Sequence, residues 1–441
     1  MPCSLRPSMY SRYFIAFSLL FSLPGTLTAC DCEGHDQNGE TPPAETAAPP
    51  ETGSAIETPP EPELPLYIAP SDIDFGGNQR LLDRLRGSAH GYFRFVNVAF
   101  SDQLCQRFAD DVSTLPSVNL HGDAHVEQYA ITSIGRGLTD YDDSSTGPGF
   151  LDLVRFGTSL RLTCEERGWQ QDEQGLLDEF LRGYEEALQH PDQVVPEPAF
   201  ATDIRNGFSR DRTEFLAWVD EIMVELEPDV RRRFELSVGD YLEAMREQHE
   251  ELGAGFFTIK KVGTHPLGIG SALDRKFVAR IEGPTDDPLD DVILEAKEVR
   301  DLSGISCISH SQNLDPFRVL VGQARIAFRP YPYLGYATID DDVFWIHGWA
   351  DNYHEMDIEE FESPEMLRTI AYDVGLQLGR GHVNQIAAPL DAQFCRAQRR
   401  FVEEHREELQ EAVIEMTQMT IAAWERFAAE ARDLDVTPTE P

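Results

Sequence analysis

The chain has 441 residues, which is enough for about two to four ordinary domains or one large two-lobed unit. Its composition, 41% hydrophobic and 26% charged, is that of a globular protein and excludes a fibrous or wholly disordered one. The 37 basic residues against 78 acidic ones give a net charge of −41, which repels a phosphate backbone, so no nucleic-acid partner is expected.

Residues 1–29 have the pattern of a secretory signal peptide. Arg6 and Arg12 precede an apolar run, residues 14–23, that is too short for a comfortable transmembrane helix. The sequence LTAC that ends at Cys30 resembles the lipobox of bacterial lipoproteins, whose cysteine is lipidated and becomes the mature N-terminus. The resemblance implies a lipoprotein of the cell envelope, anchored in the inner or outer membrane through Cys30. An ordinary signal peptide with an incidental cysteine is the alternative.

Residues 30–66 predict an acidic, disordered tether. The segment is rich in Pro, Glu and Thr and contains no lysine or arginine, so it cannot bury enough apolar surface to fold. Its proline pairs favour extended conformations, which would hold a folded domain away from the membrane.

One folded domain is predicted over residues 67–435. Apolar residues at helical spacing and short β-rich runs divide it into a helical part at 67–250, a sheet-rich part at 255–350 and a second helical part at 351–435. Four cysteines fall in this domain, without the spacing of a zinc site. An exported protein can form disulfides between them, and the sequence leaves the pairing of Cys105, Cys164, Cys307 and Cys395 open.

Acidic residues and histidines concentrate between residues 121 and 152. A short apolar run ends in the sequence HGDAH at 121–125, which we call the His-Gly-Asp loop, and TDYDD follows at 139–143, which we call the acidic segment. An aspartate on a loop after a strand can accept the proton of an attacking hydroxyl, and a second aspartate nearby can bind Mg²⁺. These groups suit phosphoryl transfer, because positioning and charge neutralisation supply most of its catalysis.

The two motifs resemble the catalytic loop and metal-binding turn of aminoglycoside-phosphotransferase-like kinases, which read HGDxHxxN and then an aspartate-containing turn. The wider run, which continues through Gly147-Pro148 to Asp152 and Arg155, is similar to the bacterial domain-of-unknown-function 2252 family, with its patterns GDAHxxNFG, NDFDE and GPxxxDLxRL. The resemblance implies an α+β fold of the protein-kinase-like, two-lobed type, with a helix-rich large lobe and a small, mainly antiparallel sheet lobe.

The resemblance also implies roles for single residues. Asp123 would be the catalytic base, Asp140 and Asp142 would bind Mg²⁺, and Asp152 would brace the loop. Four residues are expected to support the site: His121, His125, Asp152 and Arg94. Arg94 would either bind an anion or brace the acidic segment.

Gln128 stands where the family has asparagine. Its longer side chain moves the amide oxygen by about one carbon–carbon bond, and Mg²⁺ demands near-octahedral geometry. The sequence therefore leaves two outcomes open at this metal position, a ligating glutamine oxygen or impaired metal binding.

A glycine-rich segment with Gly268 and Gly270 precedes two predicted strands, and the second strand carries Lys297. A glycine turn lets backbone N–H groups approach phosphates, and a strand lysine can neutralise them. Beside the kinase-like motifs, these residues look like the nucleotide-covering loop and phosphate-contacting lysine of a kinase small lobe; by themselves they indicate only a hairpin. They follow the catalytic motif, so the element order would be permuted. No acidic partner for Lys297 is evident on the predicted helix 315–328.

The sequence thus predicts a phosphotransferase that uses Mg²⁺ and ATP and acts on an unidentified hydroxyl acceptor. A non-catalytic, pseudokinase-like binding or scaffold protein of the envelope is the alternative, favoured by Gln128 and by the scarcity of ATP outside the cytoplasm. A metal-dependent hydrolase is the third reading, in which His121, Asp123, His125, Asp140 and Asp142 would form a dinuclear site.

Overall fold

The computed structural model of the protein describes residues 64–252, 255–265, 274–309, 315–384 and 389–436. The predicted signal peptide, Cys30 and the tether as far as residue 63 lie outside the described residues. Leu66 is fully buried and its carbonyl accepts a hydrogen bond from the Tyr92 hydroxyl at 2.8 Å, so the packed chain includes the last residue of the predicted tether. No helix in the described part is long and apolar enough to cross a membrane.

The described chain is a mixture of helices and antiparallel sheets, which confirms the α+β class. The helices are α1 (Gln79–Gly87), α2 (Ala89–Phe95), α3 (Asn97–Arg107), α4 (Ala109–Val112), α5 (Phe150–Arg167), α6 (Glu173–Gln189), α7 (Ala199–Asn206), α8 (Arg212–Ile222), α9 (Pro228–Ser237), α10 (Gly239–Gln248), α11 (Phe317–Ile326), α12 (Pro364–Val383), α13 (Leu390–Glu404) and α14 (Arg406–Glu430). The strands are β1 (Ser117–Leu120), β2 (Tyr129–Thr132), β3 (Arg136–Leu138), β4 (Ser145–Pro148), β5 (Val224–Glu225), β6 (Ile259–Thr264), β7 (Lys276–Ile281), β8 (Val292–Glu298), β9 (Gly335–Ile339), β10 (Asp342–Gly348) and β11 (Tyr353–Glu355).

The largest sheet of the described chain has the strand order β5-β6-β7-β8-β10-β9. Five of its strands come from the part predicted to be sheet-rich, and the two-residue β5 comes from the helical part. Successive side chains of each strand point to opposite faces of the sheet, and the two faces differ in polarity. One face is apolar, with residues such as Phe277 and Ala296, and packs against α9 and α10. The other face carries charged side chains, including Lys276, Glu295 and Lys297, which lie nearly buried.

The helical core is built around α5, α6, α12 and α14. Helices α6 and α12 approach closely because glycines line the contact; a Cβ at Gly375 would collide with the carbonyl of Phe180. This packing fixes α5 and the end of α12, which carry Asp152 and His382, in the centre of the domain.

Two details of the chain lay beyond the sequence prediction. The helical tail is divided at His405 into α13 and α14. Cys105 and Cys307 form a disulfide, whereas Cys164 and Cys395 are buried free thiols. The disulfide ties α3 to the segment that follows β8.

Candidate functional site

The site is organised by a two-stranded sheet. Strands β1 and β4 pair antiparallel, with Leu120 opposite Ser145. The His-Gly-Asp loop leaves the end of β1, and the acidic segment enters the start of β4. The register therefore places the two motifs side by side although about twenty residues separate them in sequence.

Gly122 makes this close approach possible. Its φ of +85° lies in the left-handed region, and a Cβ there would collide with the main chain of Asp143. A larger residue would push the His-Gly-Asp loop away from the acidic segment.

Asp152, near the start of α5, holds the backbone of the His-Gly-Asp loop. Its two carboxylate oxygens accept hydrogen bonds from the N–H groups of His121, at 2.7 Å, and Gly122, at 2.8 Å. His382 Nε2 lies 3.1 Å from the same carboxylate. Burial raises the pKa of Asp152, but His382, His121 and the Gly122 N–H outweigh this effect and lower it. The carboxylate therefore has the contacts that a brace requires.

Asp123 is nearly buried and is oriented by Arg155, one turn beyond Asp152 on α5. Arg155 Nε and Nη2 donate to Asp123 Oδ1 at 2.7 and 2.5 Å. Asp123 Oδ2 faces His125 Nε2 at 3.8 Å. Burial raises the pKa of Asp123, although Arg155 opposes the shift. A carboxylate with one oxygen fixed and a raised pKa is suited to accept a proton.

The two histidines of the loop differ in their contacts. His121 Nε2 lies 2.9 Å from the carbonyl of Thr139, which links the loop to the acidic segment. His125 is fully buried, and within the described chain neither of its ring nitrogens has a hydrogen-bond partner. Burial and the neighbouring Arg94 and His90 lower the pKa of His125 well below its ordinary value, so its ring is neutral.

Asp140 and Asp142 converge on the side chain of Lys297. The Lys297 ammonium lies 2.6 Å from Asp140 Oδ1 and 2.5 Å from Asp142 Oδ2. Trp345 Nε1 donates to the other oxygen of Asp142 at 2.7 Å. The acidic partners of Lys297 thus come from the acidic segment, whereas α11 contributes Arg318, which donates to main-chain carbonyls of Asp142 and Ser144.

The two aspartates have opposite pKa shifts. Burial and the nearby Asp140 raise the pKa of Asp142 to about 8. Burial also acts to raise the pKa of Asp140, but Lys297 outweighs it and lowers that pKa. Like charges so close cannot both ionise freely, and the lysine favours the charged form of Asp140. Asp140 also has a φ of 55°, a conformation that aspartate tolerates better than most residues and that often marks a functional position.

Two arginines for which the sequence predicted no role, Arg155 and Arg300, bind carboxylates of the site. Arg300 binds both Asp143 and Asp274 at 2.7 Å. Arg155 was part of the family pattern but had no assigned role. These arginines lie far along the chain from the carboxylates that they bind, so no local spacing could have revealed the pairs.

Arg94 and Gln128 lie beside the site. Arg94 Nη1 donates to Glu127 at 2.6 Å, and its other terminal nitrogen lies 3.8 Å from Glu355. The main-chain carbonyl of Gln128 accepts from Thr139 N, at 2.9 Å, and from its hydroxyl, at 3.0 Å. These two hydrogen bonds fix the backbone of Gln128 to Thr139, the residue that precedes Asp140. Gly268 and Gly270 lie outside the described residues.

The fold and site define an α+β protein in which buried carboxylates face lysine and arginine across the junction of a helical core and an antiparallel sheet. The chain belongs to the family described as uncharacterized protein conserved in bacteria (DUF2252), which matches residues 80–214 and 200–430. The matched range includes each described residue of the site. Neither the curated proteins nor the solved structures include a significant match.

Proposed function

We propose that the protein is a kinase-like phosphotransferase that uses Mg²⁺ and ATP and acts on a hydroxyl acceptor. One observation carries the proposal: Lys297 Nζ lies between Asp140 Oδ1 and Asp142 Oδ2, at 2.6 and 2.5 Å, and the β1–β4 register sets the loop of Asp123 beside this acidic segment. Phosphoryl transfer needs carboxylates for the metal, a cation for the phosphates and a base for the acceptor.

The residues fit a magnesium site. Carboxylate oxygens are the ligands that Mg²⁺ prefers, and Asp140 and Asp142 already direct two of them at one cation, the lysine ammonium. When bound, Mg²⁺ would neutralise the charge of the phosphates. Asp140 and Asp142 would hold the ion, and Lys297 would then turn from the carboxylates to the phosphates.

Asp123 is the group that we assign to the acceptor. The acceptor oxygen attacks the γ-phosphorus, the bond from that phosphorus to the β–γ bridging oxygen breaks, and ADP leaves. The acceptor proton passes to Asp123 Oδ2, because Arg155 binds only the other carboxylate oxygen, Oδ1. Asp152 and Gly122 hold the loop in place while this occurs.

The test is the release of labelled γ-phosphate from ATP with a panel of hydroxyl acceptors. Asp123→Asn is expected to lower turnover by about 100-fold or more, since general-base catalysis contributes at least that much, while ATP affinity stays within about twofold. Asp110→Asn, at an exposed position on α4, is the matched control and should behave as wild type. Full turnover in Asp123→Asn would remove Asp123 from the mechanism.

A non-catalytic binding protein is the second candidate. The double contact of Arg155 with Asp123 favours it, because a buried ion pair of this kind also serves a purely structural role. Mg²⁺-dependent ATP binding without turnover on any acceptor would support this candidate over the phosphotransferase.

We also propose that the chain is anchored in the cell envelope through Cys30. The support is the lipobox-like sequence that ends at this cysteine. Labelling of growing cells with a palmitate analogue should mark the wild-type chain and not Cys30→Ser. Equal labelling of both would contradict the anchor.

A further inference from the structure

The charged face of the large sheet carries two lysines side by side. Lys276 on β7 and Lys297 on β8 are directly opposite each other in the antiparallel register, and Trp345 on β10 is opposite Lys297. Residues paired in this way project to the same face, with Cβ atoms about 5 Å apart. The three side chains form a row across the sheet, and two of them, Lys297 and Trp345, bind the acidic segment directly.

Two lysines in this register repel each other. Like charges directly opposite on neighbouring strands destabilise a sheet, and burial increases the cost of each charge. Lys276 and Lys297 are only 7% and 8% exposed. Burial and the Lys297 ammonium both lower the pKa of Lys276, while Glu295, Asp140 and Asp142 oppose that shift. The second ammonium therefore lies within the field of the same carboxylates.

Glu295 is a third charged group on this face of the sheet. Glu295 lies two residues from Lys297 on β8, and its oxygens are bound by His265 at 2.9 Å, His347 at 3.1 Å and Trp349 Nε1 at 2.8 Å. His265, His347 and Lys297 lower the pKa of Glu295 well below its ordinary value, against the effect of burial. Glu295 thus remains an anion on this face and helps to keep both lysines charged.

We propose that Lys276 is a second phosphate-binding residue and that the Lys276–Lys297 pair selects ligands with two or more linked phosphates over a monophosphate. The inference rests on the proposed nucleotide site and specifies its ligand as a nucleoside diphosphate or triphosphate. A chain of linked phosphates offers a separate phosphate group to each of the two ammonium groups on adjacent strands, whereas a monophosphate has one group for both. Binding of the chain would also relieve the repulsion between the lysines.

The test is calorimetric titration of the full-length protein with ATP, ADP and AMP in the presence of Mg²⁺. Lys276→Met is expected to weaken ATP and ADP binding at least about tenfold, the loss typical of one charged hydrogen bond, and to change AMP binding less than about twofold. Lys261→Met is the matched control, because this lysine of β6 pairs with Asp220 at 2.9 Å and is 40% exposed. Thermal unfolding is recorded for each variant, and Lys276→Gln replaces Lys276→Met if the latter does not fold.

The outcomes separate the two proposals. A selective loss of ATP and ADP affinity in the folded Lys276 variant supports the two-lysine site. Wild-type ATP affinity in that variant, together with weakened binding in Lys297→Met, overturns the role of Lys276 and leaves the nucleotide site in place. A wild-type protein that binds none of the three nucleotides overturns the proposed function and this inference with it.

Discussion

Two groups of carboxylates lie within one short stretch of the chain, and they differ in their partners. Asp152 is bound by two main-chain N–H groups of the His-Gly-Asp loop and by His382, which lies near the end of α12. Asp140 and Asp142 are bound by the flexible side chain of Lys297, and the Asp140 side chain is 33% exposed. A carboxylate fixed by backbone donors is committed to the fold, whereas one held by a lysine can exchange its partner for a ligand.

The largest loss of stability is expected from substitution of Asp152. Asp152→Ala should lower the free energy of unfolding by about 3–5 kcal/mol, because it leaves two buried N–H groups and His382 without an acceptor. Urea unfolding measures the change. Asp83→Ala, at a position that is 52% exposed and pairs with Arg86, should cost less than about 1 kcal/mol. A loss at Asp152 as small as that of the control would show that the loop does not depend on this brace.

The second-largest loss of stability is expected from removal of the disulfide. The double variant Cys105→Ser, Cys307→Ser should lose about 2–5 kcal/mol, because the cross-link closes a long loop of the unfolded chain. The cross-link also holds residues 301–309, which directly follow Arg300, the residue that binds Asp143. Unfolding with and without a reductant provides the control, since the double variant should not respond to it. A wild-type protein that is equally stable when reduced would contradict the prediction.

Glu127 is a third buried carboxylate, and its contribution to stability is expected to depend on pH. Burial acts to raise its pKa, but His90, Arg94 and Arg84 outweigh burial and lower the pKa well below 4.5. A carboxyl whose pKa is lower in the folded state stabilises the fold above pH 4.5, and this contribution is lost as the pH falls below that value. Glu127→Gln should cost about 1–3 kcal/mol at pH 7 and leave a flatter acid limb in the stability profile. An unchanged acid limb would show that Glu127 does not have a lowered pKa.

The smallest effect on stability is expected at Asp140. Asp140→Asn should change the free energy of unfolding by less than about 1 kcal/mol, because Asp142 still binds Lys297 and asparagine also tolerates a positive φ. The same urea unfolding experiment compares it with Asp152→Ala. A loss as large as that at Asp152 would mean that both carboxylates belong to the fold alone.

The motifs in one stretch of sequence could be assigned to a site, and so could Lys297 by resemblance, but the other long-range partners could not. The order of His121, Asp123, Asp140 and Asp152 indicated a shared site, and the β1–β4 register brings them together. Lys297 was assigned to the same site by resemblance, and it lies against Asp140 across 157 positions. Motifs of this kind can be recognised in a sequence because each combines residue types suited to one chemical role at a fixed spacing.

The counterions and connections had no such signal. Arg300 and Arg318 meet the acidic segment only because tertiary packing brings β8 and α11 to it. The pairing of Cys105 with Cys307 depends on the distance between α3 and a remote segment, which spacing does not encode. Strand β5 has two residues, too few for a periodic pattern.

The most direct test of the account is calorimetric titration of the protein with ATP, with and without Mg²⁺, for the wild type and Asp140→Ala. We expect saturable binding that requires Mg²⁺ and is lost or greatly weakened in folded Asp140→Ala. Equal ATP affinity in the wild type and the variant, or no binding by a folded wild-type protein, would contradict the assignment of Asp140, Asp142 and Lys297 to a magnesium–nucleotide site.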